Sequence, residues 1–171
     1  MADDIELAIN LVQAVNLSVL NTVYAGNTAY DASAPHAPSL ENYLTVLDSA
    51  NLPYVLTWPG PSRFYSKGGG WIVDMETLMI VCYVQPLGLN DIPSRATEAV
   101  RLYQVMRRKY TTVATIPLAS PATSAGYQIT AESGPNSPHS SDGIQSNLNF
   151  AGKPYLGFTL HLNVRIQFVP S

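Results

Sequence analysis

Asp74 and Glu76 stand two residues apart in the alternating stretch Trp71-Ile72-Val73-Asp74-Met75-Glu76, a spacing that projects both from one face of a strand. Paired carboxylates there can hold a hard cation or share a proton. A working site needs further ligands. His161 falls on the polar parity of another alternating run, but nothing in the sequence fixes it beside the acids. Solvated strand carboxylates are the plainer reading. His36 and His139 lie in proline-rich stretches and join no metal-binding spacing.

Ser66-Lys67-Gly68-Gly69-Gly70 has the residue types of a phosphate loop in the wrong order. Glycines must precede the lysine so that backbone amides and a following helix N-terminus cradle the phosphate; here a strand follows. No nucleophile elbow, histidine pair or dinucleotide fingerprint occurs. No residues are assigned a catalytic, cofactor-binding or metal-ligating role on these motifs.

Two clusters remain as candidate contact surfaces. Phe64, Tyr65 and Trp71, with Trp58, surround the glycine run and interleave with Arg63 and Lys67. Aromatics and cations so mixed can stack on bases or sugars, but they also anchor loops and fill subunit contacts, which is the reading adopted. Arg107, Arg108 and Lys109 close a helical pattern, where cations complement the helix dipole. His139 and Asp142, in the polar stretch Glu132–Gly143, complete the candidate interface set.

The elements that must position these residues follow from periodicity. Ile5, Ala8, Ile9, Val12, Val15, Val19 and Val23 recur at helical spacing, which predicts a helix over 4–24, with Asp3 and Glu6 spaced as a capping pair. Ser39 opens a predicted short helix whose face holds Leu40, Tyr43, Leu44 and Leu47. Leu52 to Trp58 reads as a strand, and a long strand follows over 71–85. Ile92, Ala96, Ala99, Tyr103, Met106 and Tyr110 line a helix beginning near Asp91 and Pro93. Regular structure mostly lapses over 111–149, apart from a short strand over 126–131.

From Tyr155 to Val169 alternation is nearly unbroken, with Leu156, Phe158, Leu160, Leu162, Val164, Ile166 and Phe168 on one parity. At about 3.3 Å per residue this strand reaches roughly 45 Å. The fold class expected is α+β: a single domain with a mostly antiparallel or mixed sheet, long strands covered by helices on one face, and mobile loops at about 60–70, where the three glycines read as a mobile loop or a hairpin tip, and 117–149.

Composition bounds the partners. The chain has 171 residues and a net charge of −3, and charged residues make up 12%, about half the usual share. Low charge suits a surface partly covered by partners, and the dispersed basic residues give no footprint for gripping DNA. The lone Cys82, in an apolar run, reads as a buried small hydrophobe and fits a reducing compartment. The Met-Ala-Asp-Asp start lacks a secretory pattern, and no uninterrupted apolar stretch is long enough for a bilayer. The expectation is a soluble protein made in a cytoplasm.

In the order of these elements the chain resembles the tail terminators of long-tailed bacteriophages. The resemblance lies in the N-terminal helix, the proline-led strand Leu52-Pro53-Tyr54-Val55-Leu56 and the long strand ending at Val84-Gln85-Pro86. It continues in the helix from Ile92 to Tyr110, the irregular stretch after it and the final strand Tyr155–Val164. It covers most of the chain and rests on pattern, with a longer region through Ala50 and a longer loop over 117–149 as departures. It implies a homo-oligomer, a hexameric ring at the head end of the tail tube. Such a ring ends tube growth and meets a head-side connector or stopper protein, and DNA passes through its lumen without sequence-specific contact. A protein of this kind is a virion component assembled in the host cytoplasm, with no membrane and no enzyme activity. Other neck, connector or tail-tube subunits share long strands, and a metal-dependent enzyme or small-molecule binder on the Asp74, Glu76 and His161 surface is the reading from a different class.

Overall fold

A computed structural model of the chain describes residues 2–24, 36–61, 63–67, 71–88, 93–111, 115–117, 127–133 and 138–168. In chain order the elements are α1 (Ala2–Tyr24), β1 (Tyr54–Pro59), β2 (Arg63–Lys67), β3 (Trp71–Pro86), α2 (Ala96–Thr111), β4 (Thr115–Pro117), β5 (Tyr127–Glu132), β6 (Ser140–Phe150) and β7 (Lys153–Phe168). All strand pairs are antiparallel, in one seven-stranded sheet. The fold is a single-domain α+β structure.

Two central strands of 16 residues each, β3 and β7, run side by side for most of their length. Shorter strands flank them in tandem: β1 and β2 along β3, and β6 and β5 along β7, with β4 beyond β5. The alternation of β7 decides which face is buried. Leu156, Phe158, Leu160, Leu162, Val164 and Ile166 are all buried with Leu78, Ile80, Cys82 and Val84 of β3. Against them α1 lays Ala8, Ile9, Val12, Val19 and Leu20, and α2 lays Ala99, Leu102, Met106 and Tyr110. Burial of the six β7 side chains contributes on the order of 10–20 kcal/mol as an upper bound, enough to fix the register.

By length and composition Ile5–Tyr24 is apolar enough to cross a bilayer, contrary to the sequence expectation. In the fold this stretch is a core helix that also carries a buried polar network. Gln13 Nε2 donates to the carbonyls of Pro38 and Val55, each at 2.9 Å. Thr57 Oγ1 donates to Gln13 Oε1 at 2.6 Å, and the Tyr110 hydroxyl donates to Asn16 Oδ1 at 2.7 Å. The helix includes Asp3 rather than being capped by it.

The opposite face has its own smaller cluster of Leu47, Leu52, Tyr54, Leu56, Tyr83 and Tyr155. Tyr83 meets Phe150 and Tyr155 edge-on, with centroids 5.2 and 5.5 Å apart. The predicted helix over Leu40–Leu47 is replaced by a single 3₁₀ turn, Leu40–Asn42. Long-range bonds win there: Leu44 N donates to the Tyr54 hydroxyl at 2.7 Å, and the Tyr43 hydroxyl is drawn to β1. That hydroxyl accepts from Thr57 N and donates to Thr57 O, while Val55 N donates to His36 O at 2.7 Å. The outer edge of β1 is thereby closed over Val55–Thr57 by the chain itself.

Of two further expectations, the hairpin reading of the glycine run agrees with the pairing of β2, and the loop over 117–149 is corrected in part. Over 60–70, β2 is an additional strand hairpinned on β3, with Lys67 opposite Trp71; residues 68–70 lie outside the described ones. Over 117–149 the short strand expected at 126–131 is present as β5, but the predicted loop also holds most of the 11-residue β6. A two-residue turn joins β6 to β7, with Ala151 (φ 51°) and Gly152 (φ 82°) both left-handed, as a tight hairpin requires. Polar composition hid β6. It pairs with β7 alone among the described elements, and its register shifts between Ser141 and Gly143 and between Gln145 and Leu148, so its alternation is broken.

Candidate functional site

The last turns of α2 place Tyr103, Arg107 and Tyr110 on one helical face. That face lies over the edge where β6 begins and over the middle of β7, and the two elements enclose a cavity of about 270 Å³. Its other walls are Thr111, His139, Ser140, Ser141, Leu160, His161 and Leu162. Leu160 and Leu162 come from the buried parity of β7 and make the floor apolar.

Polar groups converge at the wall formed by β6. The Tyr103 hydroxyl and Ser141 Oγ are 2.8 Å apart and share one hydrogen bond. His139 is held from two sides: its own N–H donates to Ser133 Oγ, and its Nδ1 accepts the Asn163 N–H at 3.1 Å. The Asn163 side chain in turn donates to Pro138 O at 3.0 Å. With Nδ1 occupied as an acceptor, the neutral ring carries its proton on Nε2. That atom is sealed from solvent and has no partner. An unmet buried donor costs about 1–3 kcal/mol. Burial also holds the His139 pKa below its usual value, which keeps the ring neutral.

Two charges stand at the rim. Asp142 Oδ2 lies 3.0 Å from His161 Nε2, with half of the Asp142 side chain exposed. Arg107 is exposed, and its guanidinium forms no ion pair among the described residues.

Of the candidate residues, then, Arg107 and His139 are brought to one cavity, and Asp142 to its edge through His161. Arg108 and Lys109 are exposed in the last turn of α2 and do not line it. Arg63, Phe64, Tyr65 and Lys67 are on β2 and Trp71 begins β3, but their side chains lie outside the described residues. Their strands sit elsewhere. β2 pairs with Trp71–Met75, a stretch of β3 that faces Gln167 and its neighbours, roughly 20 Å along β7 from His161.

The register also separates the carboxylate pair from its proposed histidine. Asp74 and Glu76 stand opposite Ile166 and Val164, whereas His161 stands opposite Met79, on the other parity. Among the described residues no group of three or more His, Cys, Asp or Glu side chains could hold a metal ion. Cys82 is fully buried, and burial pushes its thiol far above its usual pKa.

Tyr103, Thr111 and Ser141 also line the cavity, and no sequence motif marks them. The helical spacing of Tyr103, Arg107 and Tyr110 is the one available signal, and core packing plus a basic helix end accounts for it equally well. A scan against protein-family models finds no match to this chain, and a search of curated proteins finds no matching relative.

Proposed function

We propose that the chain is a ring-forming structural protein of a phage neck, a tail terminator that caps the tail tube, ends its growth and joins the tail to a head-side connector. The observation that carries this reading is the asymmetry of the sheet edges. On one side, the edge of β1 is closed by the chain itself through His36, Tyr43 and Gln13. On the other, β6 offers 11 residues paired on one side only among the described elements, with Ile144 39% exposed. Unlike edges suit head-to-tail contacts between copies, which close into a ring when the rotation per subunit permits. A subunit built for such contacts also needs little surface charge, consistent with the 12% charged residues.

In this reading six copies form the ring, its partners are the tail-tube protein and a head-side connector or stopper, and DNA threads the lumen without base contacts. A net charge of −3 per subunit favours sliding over gripping. The protein acts in the virion and assembles in the host cytoplasm, with no catalytic step. Light scattering and negative-stain microscopy of the purified protein test this directly. A closed ring is expected, alone or on tail tubes. A strict monomer at high concentration and in the presence of tubes overturns it, and open-ended filaments point instead to a tube subunit.

A further inference from the structure

β6 and β5 lie in tandem along one edge of β7 and leave a gap between them. β6 covers Lys153–His161 and β5 covers Val164–Phe168, so Leu162 and Asn163 have no strand partner there among the described residues. His139 fills the gap. Its Nδ1 accepts the Asn163 N–H at 3.1 Å, in the place of a strand carbonyl, and Pro138 O accepts from the Asn163 side chain at 3.0 Å. Next to this latch the strand is bulged. The register shifts between Ser141 and Gly143, so only Ser140 and Ser141 pair with β7 on the His139 side. Gly143 has φ 74°, and nothing lies within 4 Å of where its Cβ would be, so the chain has the freedom and the room to turn there. Asp142, bonded to His161, marks the anchored side, and Ser141 is tied to α2 by the single neutral bond to Tyr103.

We propose that Pro138–Ser141 is a flap, hinged at the Asp142–Gly143 bulge and latched by His139, that opens when His139 gains a proton. Protonation puts a hydrogen on Nδ1, so the imidazole turns a donor toward the Asn163 donor and the latch is lost. The closed flap also keeps Nε2 sealed and unpartnered, whereas opening gives both nitrogens to water. Among the described residues facing the imidazole, none offsets the new charge. α2 turns Arg107, Tyr103 and Tyr110 to the same cavity and β7 turns His161, while the acids Asp142 and Glu132 are already bonded to His161 and Arg165. The released imidazole binds the proton more readily than the buried one, so opening grows as the pH falls below about 6.5. It uncovers the β7 edge at Leu160–Asn163 and the apolar floor of the cavity. The proposal is independent of the hexamer.

Amide hydrogen exchange of the isotope-labelled whole chain, read by NMR and corrected for the intrinsic rate at each pH, tests the flap. From about pH 7.5 to about 5 the protection of the Asn163 amide should fall at least about threefold, with the same midpoint as the His139 side-chain signals. The Phe158 amide, in the middle of β7, should keep its protection. His139→Asn keeps an acceptor for the Asn163 N–H but cannot titrate, so its Asn163 protection should not change with pH. A backbone spectrum at neutral pH verifies that this variant folds; should it not, the wild-type midpoint and the Phe158 comparison decide alone. Equal losses at Asn163 and Phe158 would mean global unfolding and overturn the flap. So would a wild-type Asn163 amide indifferent to pH, a midpoint apart from that of His139, or the same loss in His139→Asn.

Discussion

The Tyr110 hydroxyl donates to Asn16 Oδ1 at 2.7 Å, tying the last turn of α2 to the middle of α1 inside the core. Both groups are almost wholly buried, and burial drives the phenol pKa far above its usual value. Asn16 passes the link onward, since its Nδ2 donates to Gln13 Oε1 and Thr57 Oγ1. One polar chain thus joins both helices to β1. Removing the hydroxyl in Tyr110→Phe leaves Asn16 Oδ1 short of a donor with little change in packing volume. The expected loss is about 1–3 kcal/mol, seen as a lower urea midpoint with an unchanged slope. An unchanged midpoint would mean that the network relaxes around the missing donor.

At Gly157 the two central strands leave no room for a side chain. A Cβ there would lie 1.9 Å from the Cys82 carbonyl oxygen and 2.8 Å from Leu148 Cδ1. The first neighbour is backbone and cannot rotate away, so β3 and β7 must part locally. Gly157→Ala is expected to destabilise the fold by about 1–3 kcal/mol, whereas Gly→Ala at an open strand site stabilises by about 0.5–1 kcal/mol. Thermal unfolding measures it, and a melting point equal to that of the wild type would refute the close approach.

How far the sequence disclosed this molecule depended on whether a local pattern and a tertiary contact agreed. Leu156 to Ile166 alternate in sequence and are buried on one face, so parity alone disclosed β7 and the side on which helices would pack. Leu40, Tyr43, Leu44 and Leu47 have helical spacing, yet Tyr43 is extended because its hydroxyl serves Thr57. Ser140 to Phe150 carries too few apolar residues and too many register shifts to read as a strand, although pairing with β7 makes it one. The cavity was least legible of all. Arg107 and His139 are about thirty residues apart and meet only because α2 crosses the strand edge, a relation that no spacing rule records.

His139 makes the stability of the fold pH-dependent with a definite sign. Its pKa is lowered by burial in the folded chain and returns to about 6.5 on unfolding. Between the folded and unfolded values the unfolded chain binds the extra proton. The contribution of the neutral ring is therefore complete above about pH 6.5 and is lost as the pH falls toward the folded value. His139→Asn can still accept the Asn163 N–H, its Oδ1 standing where Nδ1 does, but cannot titrate. From pH 7.5 down to about 5 the wild type should lose more stability than this variant; parallel pH profiles would remove His139 as the cause.

The two parities of β7 predict opposite outcomes for the same charge placed one residue apart. Leu162 is 1% exposed within the main core, and Leu162→Asp puts a carboxylate where a wholly buried apolar side chain packs. A loss above about 4 kcal/mol is expected, and the isolated chain should not fold. Asn163 is half-buried on the other face, where its Oδ1 accepts from Thr77 Oγ1 at 3.4 Å and its Nδ2 donates to Pro138 O. Asn163→Asp keeps the acceptor and loses the donor, a cost of about 1 kcal/mol, so the monomer should fold with a slightly lowered midpoint. Circular dichroism of both variants tests the fold, and light scattering of Asn163→Asp tests assembly. If that variant folds but no longer forms oligomers, the polar parity of β7 is a subunit contact. If it assembles as the wild type does, the ring contacts lie elsewhere, with the open edge of β6 as the next surface to probe.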